Sequence, residues 1–187
     1  YATKYSTPYT GTAKEPYVEI SVGGVTLDED EYLVNYDTDE NGEAINHTNA
    51  GVVKVRIIGQ KKYAGKMIVA TYTIAPRPLS GCVFAIETKD REYTGQPITI
   101  DREVFSLKRG STPLAYGEDG DYVLEYENNV NAGTATVKAV GVNNYSGYVQ
   151  QTFTISQKDI ASLKNVAIQG VTDKTFTGQP ITFPDAK

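Results

Sequence analysis

Apolar and polar residues alternate along this chain in short runs with a period of two. In Val52-Val53-Lys54-Val55-Arg56-Ile57, the residues Val53, Val55 and Ile57 fall on one side and Lys54 and Arg56 on the other, as strand pleating requires. The phase returns in Ala135, Val137 and Ala139, with Thr136 and Lys138 opposite. Tyr32, Val34 and Tyr36 correspond in the same way to Tyr122, Leu124 and Tyr126, and Ile68, Ala70, Tyr72 and Ile74 to Val149, Gln151, Phe153 and Ile155. No stretch carries the 3.6-residue recurrence of a long amphipathic helix. Short alternating runs broken by Gly, Asn and Pro clusters predict an all-β fold of antiparallel sheets packed as sandwiches, with about seven strands per unit.

The alternation sits inside a longer period. Tyr9-Thr10-Gly11 returns as Tyr93-Thr94-Gly95 and as Phe176-Thr177-Gly178, offsets of 84 (93 − 9) and 83 (176 − 93) residues. Asn49-Ala50-Gly51 matches Asn131-Ala132-Gly133, Tyr63-Ala64-Gly65 matches Tyr145-Ser146-Gly147, and Tyr72-Thr73-Ile74 matches Phe153-Thr154-Ile155. The chain therefore divides into a first unit at 1–75 with a truncated opening strand, a second at 76–156, and the start of a third or a pairing segment at 157–187. Ile74 to Pro78 and Ile155 to Asp159 read as linkers, the first stiffened by Pro76 and Pro78. An orphan opening segment at 160–187 has three expected fates: to dangle, to pair with a neighbouring unit, or to swap between otherwise monomeric chains.

Composition narrows the partners. A formal charge of −5 argues against a nucleic-acid groove or an anionic-membrane surface, both of which need clustered Lys and Arg. No apolar run reaches the roughly 18 residues of a membrane span, so no membrane insertion is expected. The chain opens on Tyr1 without a signal-peptide pattern, which reads as a fragment of a longer protein. One cysteine, Cys82, rules out an intramolecular disulfide.

The order Tyr93-Thr94-Gly95-Gln96-Pro97, Asp121-Tyr122, Tyr126-Glu127-Asn128-Asn129, Asn131-Ala132-Gly133-Thr134-Ala135-Thr136-Val137, Asn144-Tyr145-Ser146-Gly147 and Phe153-Thr154-Ile155 resembles the bacterial Ig-like repeat modules of large surface and secreted proteins of Firmicutes, especially gut anaerobes. The likeness covers nearly all of 79–155. The first unit departs from it, with Val52-Val53 for Thr-Ala and an acidic insertion at 37–47: Tyr36 to Gly51 spans 15 residues (51 − 36) against 7 (133 − 126) from Tyr126 to Gly133. The resemblance implies tandem immunoglobulin-like antiparallel β-sandwiches in an extracellular or cell-wall-attached protein of a Gram-positive bacterium. The implied role is a non-catalytic stalk, spacer or adhesion module. The alternatives are a module that binds a host glycoprotein or polysaccharide, and an accessory module of a secreted polysaccharide-degrading enzyme.

Candidate chemistry is sparse. Asp37-Thr38-Asp39-Glu40-Asn41-Gly42 carries the spacing with which the first half of a calcium loop presents oxygens, making Asp37, Asp39 and Asn41 the candidate metal ligands. Thr48 stands where such a loop needs its bidentate Glu, and Asn41-Gly42 is equally a hairpin-turn signal. Asp28-Glu29-Asp30-Glu31 reads as a solvated loop, or joins the first acidic cluster as a site for a cation or a cationic partner. His47, in a polar loop, reads as a surface residue, and Cys82, near Val83, Phe84 and Ile86, as an inert buried thiol. No catalytic set and no cofactor other than calcium is expected. Tyr1, Tyr5, Tyr17, Tyr116 and Tyr148 do not recur between units and are the expected exposed rings, a candidate sugar platform in a chain without Trp. The 37–47 insertion and the loop from Arg109 to Gly120 are unit-specific, and binding would reside there. A Lys-to-Asn isopeptide crosslink, used by some surface Ig-like domains, leaves no sequence signature.

Overall fold

The computed structural model describes residues 5–87, 90–159, 161 and 172–182. The orphan segment predicted at 160–187 thus lies largely outside the described residues. Strands dominate, joined by short 3-10 turns. Those of the first repeat are β1 (Ser6–Pro8), β2 (Ser21–Val22), β3 (Val25–Thr26), β4 (Tyr32–Asn35), β5 (Gly51–Gly59) and β6 (Met67–Ala75). The second repeat holds β7 (Arg77–Pro78), β8 (Val83–Ile86), β9 (Asp90–Glu92), β10 (Phe105–Arg109), β11 (Thr112–Pro113), β12 (Tyr122–Glu127), β13 (Gly133–Gly141), β14 (Tyr145–Ser146) and β15 (Tyr148–Ser156). Among the described residues no helix is long and apolar enough to cross a membrane.

Each repeat carries the same four-stranded sheet, β1-β6-β5-β4 in the first and β9-β15-β13-β12 in the second. The registers coincide residue for residue. Val53 faces Tyr72 and Val55 faces Ala70 in one, while Ala135 faces Phe153 and Val137 faces Gln151 in the other. Tyr32 opposite Gly59 matches Tyr122 opposite Gly141. A one-residue slip would turn every inward side chain outward, so the alternation read from sequence and the observed pairing support one another. The sheets are not wholly antiparallel: β1 and β9 run parallel to β6 and β15. The reason is positional. These short segments return along the outer edge of the last strand before the chain crosses over to the opposite sheet.

The opposite sheet distinguishes the repeats. In the second it has three strands, β11-β10-β8, whereas among the described residues the first shows the β2-β3 hairpin. One core unites both sheets of the second repeat: Phe84, Ile86, Phe105 and Leu107 from one side meet Ala135, Val137, Phe153 and Ile155 from the other. Leu79, Ile98, Ile100, Leu114, Tyr122 and Ala139 belong to the same core. The first repeat's core comprises Val53, Val55, Tyr72 and Ile74, with Tyr9, Val34, Tyr36, Ile45 and Ala70 partly buried around it.

The predicted linker does not behave as one. β6 runs to Ala75, and Arg77–Pro78 pairs in parallel with Tyr145–Ser146, with Arg77 N–H donating to the Asn144 carbonyl at 2.9 Å. Pro76 is the single residue between the two hydrogen-bonded segments. The stiffness expected of the prolines arises instead from β-pairing with the second repeat.

The Tyr-Thr-Gly motif adopts one backbone shape throughout. Gly11, Gly95 and Gly178 have φ of 84°, 77° and 73°, a left-handed conformation that side chains with a Cβ resist. The third copy therefore repeats the turn of the first two.

Candidate functional site

The acidic insertion is a hairpin. Thr38 bridges Ala44 in antiparallel fashion, Asp39 N–H donates to the Glu43 carbonyl at 2.8 Å, and Gly42 N–H to the Asp39 carbonyl at 3.1 Å. With Gly42 at φ 83°, this is a three-residue loop of turn plus left-handed glycine rather than a two-residue Asn-Gly turn. Asp39 organises it: one carboxylate oxygen accepts from Asn41 N–H at 2.8 Å and Glu43 N–H at 2.9 Å. Those amides hold its carboxyl below the ordinary range, the Asn41 amide contributing most. Asp37 and Asn41 are exposed. Among the described residues no three His, Cys, Asp or Glu side chains gather as a metal-holding group.

The second acidic cluster has partners within the chain. Asp28 to Glu31 form a short 3-10 turn, in which Lys61 pairs with Asp30 and Lys62 Nζ lies 2.7 Å from Glu31. His47 is not a free surface residue. Its ring is half-buried, with Nδ1 at 3.0 Å from the Tyr36 carbonyl and an edge-on contact to the Tyr36 ring. It packs there because the hairpin folds back across β4. Cys82 lies half-buried at the margin of the second core. Tyr5, Tyr17, Tyr116 and Tyr148 are exposed, as their failure to recur predicts.

Three tyrosines that the sequence marked only as core residues perform a further task. Tyr72, Tyr36 and Tyr32 donate their hydroxyls to the carbonyls of Lys14, Pro16 and Val18, the last at 2.7 Å. Every second carbonyl of an extended segment is thereby tied down across the sheet. Burial pushes the Tyr72 phenol up to about 12, aided by Tyr36, Glu15 and Tyr5, and raises Tyr36 as well. The second repeat uses the same position in the opposite polarity: Tyr126 accepts from Ile100 N–H at 2.9 Å. Pro16, Ile100's counterpart, has no N–H, so there the hydroxyl donates to a carbonyl instead. The sequence signal was present in the Tyr32/Tyr36 spacing and the proline, but the partner segment was not.

The two repeats meet at a polar junction. Asn144 Oδ1 accepts from Ala50 N–H at 2.7 Å and Asn144 Nδ2 donates to Asn49 Oδ1 at 3.1 Å. The Tyr9 and Tyr145 rings stack edge to face at 5.8 Å, and within the second repeat Arg109 donates to the Pro78 carbonyl. A cleft of about 470 Å³ opens beside it, lined by Asn49, Asp119, Asp121, Asn143 and Asn144 among others. The Asn49-Ala50 pair of the first repeat thus meets Asn144 of the second, a position that Lys62 holds in the first repeat. No family model, curated protein or solved structure matches this chain.

Proposed function

We propose that this chain is a non-catalytic segment of tandem Ig-like β-sandwiches from a bacterial extracellular surface protein, acting as a stalk or spacer. The junction carries this reading. The first unit is held against the second through Asn144 and the Tyr9–Tyr145 ring contact, and Arg77–Pro78, one residue beyond β6, is paired to β14. A spacer requires that restraint, because a freely jointed array would not hold anything at a set distance.

Small-angle scattering tests it. Two units in series give a maximum dimension of about 70–90 Å from strand lengths plus loops. Asn144→Ala should broaden the distance distribution without unfolding either unit. A compact particle, or a variant indistinguishable from the parent, would remove the basis for the spacer.

A second reading, an adhesion module for a host glycoprotein or polysaccharide, draws on the exposed Tyr5 and Tyr17 beside a groove on the first repeat. Saturable binding on a glycan and glycoprotein panel, lost with Tyr17→Ala, would favour it over the spacer.

A further inference from the structure

The acidic hairpin and the joint between the repeats share one short stretch of chain. Ile45 N–H donates to the Asp37 carbonyl at 2.9 Å and closes the root of the hairpin, while Ala50 N–H donates to Asn144 Oδ1 of the second repeat at 2.7 Å. Little slack lies between them. Asn46 Oδ1 accepts from Thr48 N–H at 3.2 Å and from Asn49 N–H at 3.0 Å, and the Asn49 side chain goes on to meet Asn144. His47 anchors the middle of this turn. Lys14 N–H donates to its carbonyl at 2.8 Å, its Nδ1 lies 3.0 Å from the Tyr36 carbonyl, and its ring packs edge-on against that of Tyr36.

Those contacts decide which nitrogen of the ring carries hydrogen. A carbonyl oxygen is met by a donor, so Nδ1 keeps its hydrogen and Nε2 holds the lone pair of the neutral imidazole. Nε2 stands 3.6 Å from Glu15 Oε1. In the neutral ring two acceptors face one another there, and a proton on Nε2 turns the same approach into a charge-assisted hydrogen bond. Glu15 is the freer partner, with 56% of its side chain exposed against 16% of His47, so it closes the distance while the ring stays in place. Its own backbone is held, since the carbonyls of Lys14 and Pro16 on either side receive the hydroxyls of Tyr72 and Tyr36. The neighbouring cations are engaged elsewhere: Lys14 Nζ donates to Thr10 Oγ1 at 2.6 Å, and Arg56 donates to Thr38 through Nε and Nη2. The Asp37 side chain is exposed, and Glu15 is the carboxylate that faces the ring. We infer that His47 makes the joint between the repeats sensitive to pH. Protonated, it clamps the 46–50 turn onto the crossing segment and steadies Asn49 and Ala50 against Asn144; neutral, it releases that restraint. Imidazole exchanges its proton between about pH 5 and 8, above the range in which carboxyls titrate, so the joint is firmer on the acidic side of that window. The coupling belongs to the joint itself and holds whether the chain spaces or binds.

Amide exchange in the 187-residue chain tests it, with Glu15→Ala as the comparison. Measuring both proteins at the same pH cancels the intrinsic dependence of exchange on pH. At about pH 8 the Lys14 and Ala50 amides should exchange alike in the two. At about pH 5.5 they should be about two- to fivefold better protected in the parent, the size expected of an ion pair with an exposed member. Val137, in the core of the second repeat, should not distinguish the proteins at either pH. Nitrogen NMR shifts of the ring should show the hydrogen on Nδ1 at the higher pH. In a His47→Gln background Glu15→Ala should make no difference at either pH, which separates the pair from any effect of Glu15 alone. A hydrogen on Nε2 of the neutral ring, equal protection of parent and Glu15→Ala at about pH 5.5, or a gain at Lys14 that does not reach Ala50 overturns the proposal.

Discussion

The two repeats share a sheet down to the register of facing residues, yet one encloses a cluster of fourteen buried side chains and the other a cluster of four. Alternation and pairing suffice to build the four-stranded sheet in both. Closure of the core depends on what lies across from it. In the second repeat β8 adds Phe84 and Ile86, and the crossing segment adds Ile98 and Ile100. In the first repeat β8 has no counterpart among the described strands, and Lys14 and Pro16 replace the two isoleucines. In the first repeat Tyr32, Tyr36 and Tyr72 tie the crossing segment to the sheet through its carbonyls.

The most direct way to break this comparison is to make the second repeat resemble the first. Phe84→Ala removes the central side chain of the opening strand, buried to 4% exposure. Loss of a buried phenylalanine with its cavity costs about 3–5 kcal/mol. Chemical denaturation should register that loss, and hydrogen exchange should place it in β8 and β10 rather than in β13 and β15. If protection falls equally in all four strands, the opening strand is not the element that sets the repeats apart.

Alkali sharpens the comparison from the first repeat's side. The Tyr72 phenol, raised to about 12 from its usual value near 10, favours folding while protonated. Its contribution is complete below the unfolded value and disappears as pH rises from about 10 through 12. At about 1.4 kcal/mol per pH unit the loss is at most about 3 kcal/mol. Tyr72→Phe should flatten that part of the stability profile, at a cost near 1 kcal/mol at neutral pH for the missing hydrogen bond to Lys14. Burial also raises Tyr122, Tyr126 and Tyr145, so the second repeat must titrate too. The distinguishing result is that the segment carrying Lys14 to Val18 loses exchange protection first.

Much of this architecture was legible in the chain. The period-two runs located β4, β5, β6, β12, β13 and β15, and their repetition fixed which residues correspond. Three features escaped because each depends on contacts between distant segments. Parallel pairing of β1 and β9 rests on three-residue stretches too short to show alternation. Arg77–Pro78 has no strand pattern and becomes a strand only because Tyr145–Ser146 lies beside it. His47 reads as polar and exposed until the hairpin brings it under Tyr36. Of the site residues, Asp39 was singled out for its oxygens, and the structure shows two of the hairpin's own amides using one of them.

The smallest effect belongs to that hairpin, a feature the second repeat does not have. Asp39 is held below the ordinary carboxylate range by the Asn41 and Glu43 amides. Its contribution is therefore present above the unfolded carboxyl value, near 3.9, and is lost as pH falls below it through the folded value. Because the group lies at the surface, the consequence should stay local: the amide resonances of Asn41 and Glu43 should move together on acidification while those of β5 remain still. Asp39→Asn should abolish this movement and leave global stability nearly unchanged. A calcium titration of the parent chain uses the same reporters, because a cation drawing on Asp37, Asp39 and Asn41 competes with those amides for Asp39. Saturable displacement of both resonances would assign the insertion to metal binding. Their indifference to calcium, beside a clear response to acid, would leave the carboxylate as the cap of its own turn.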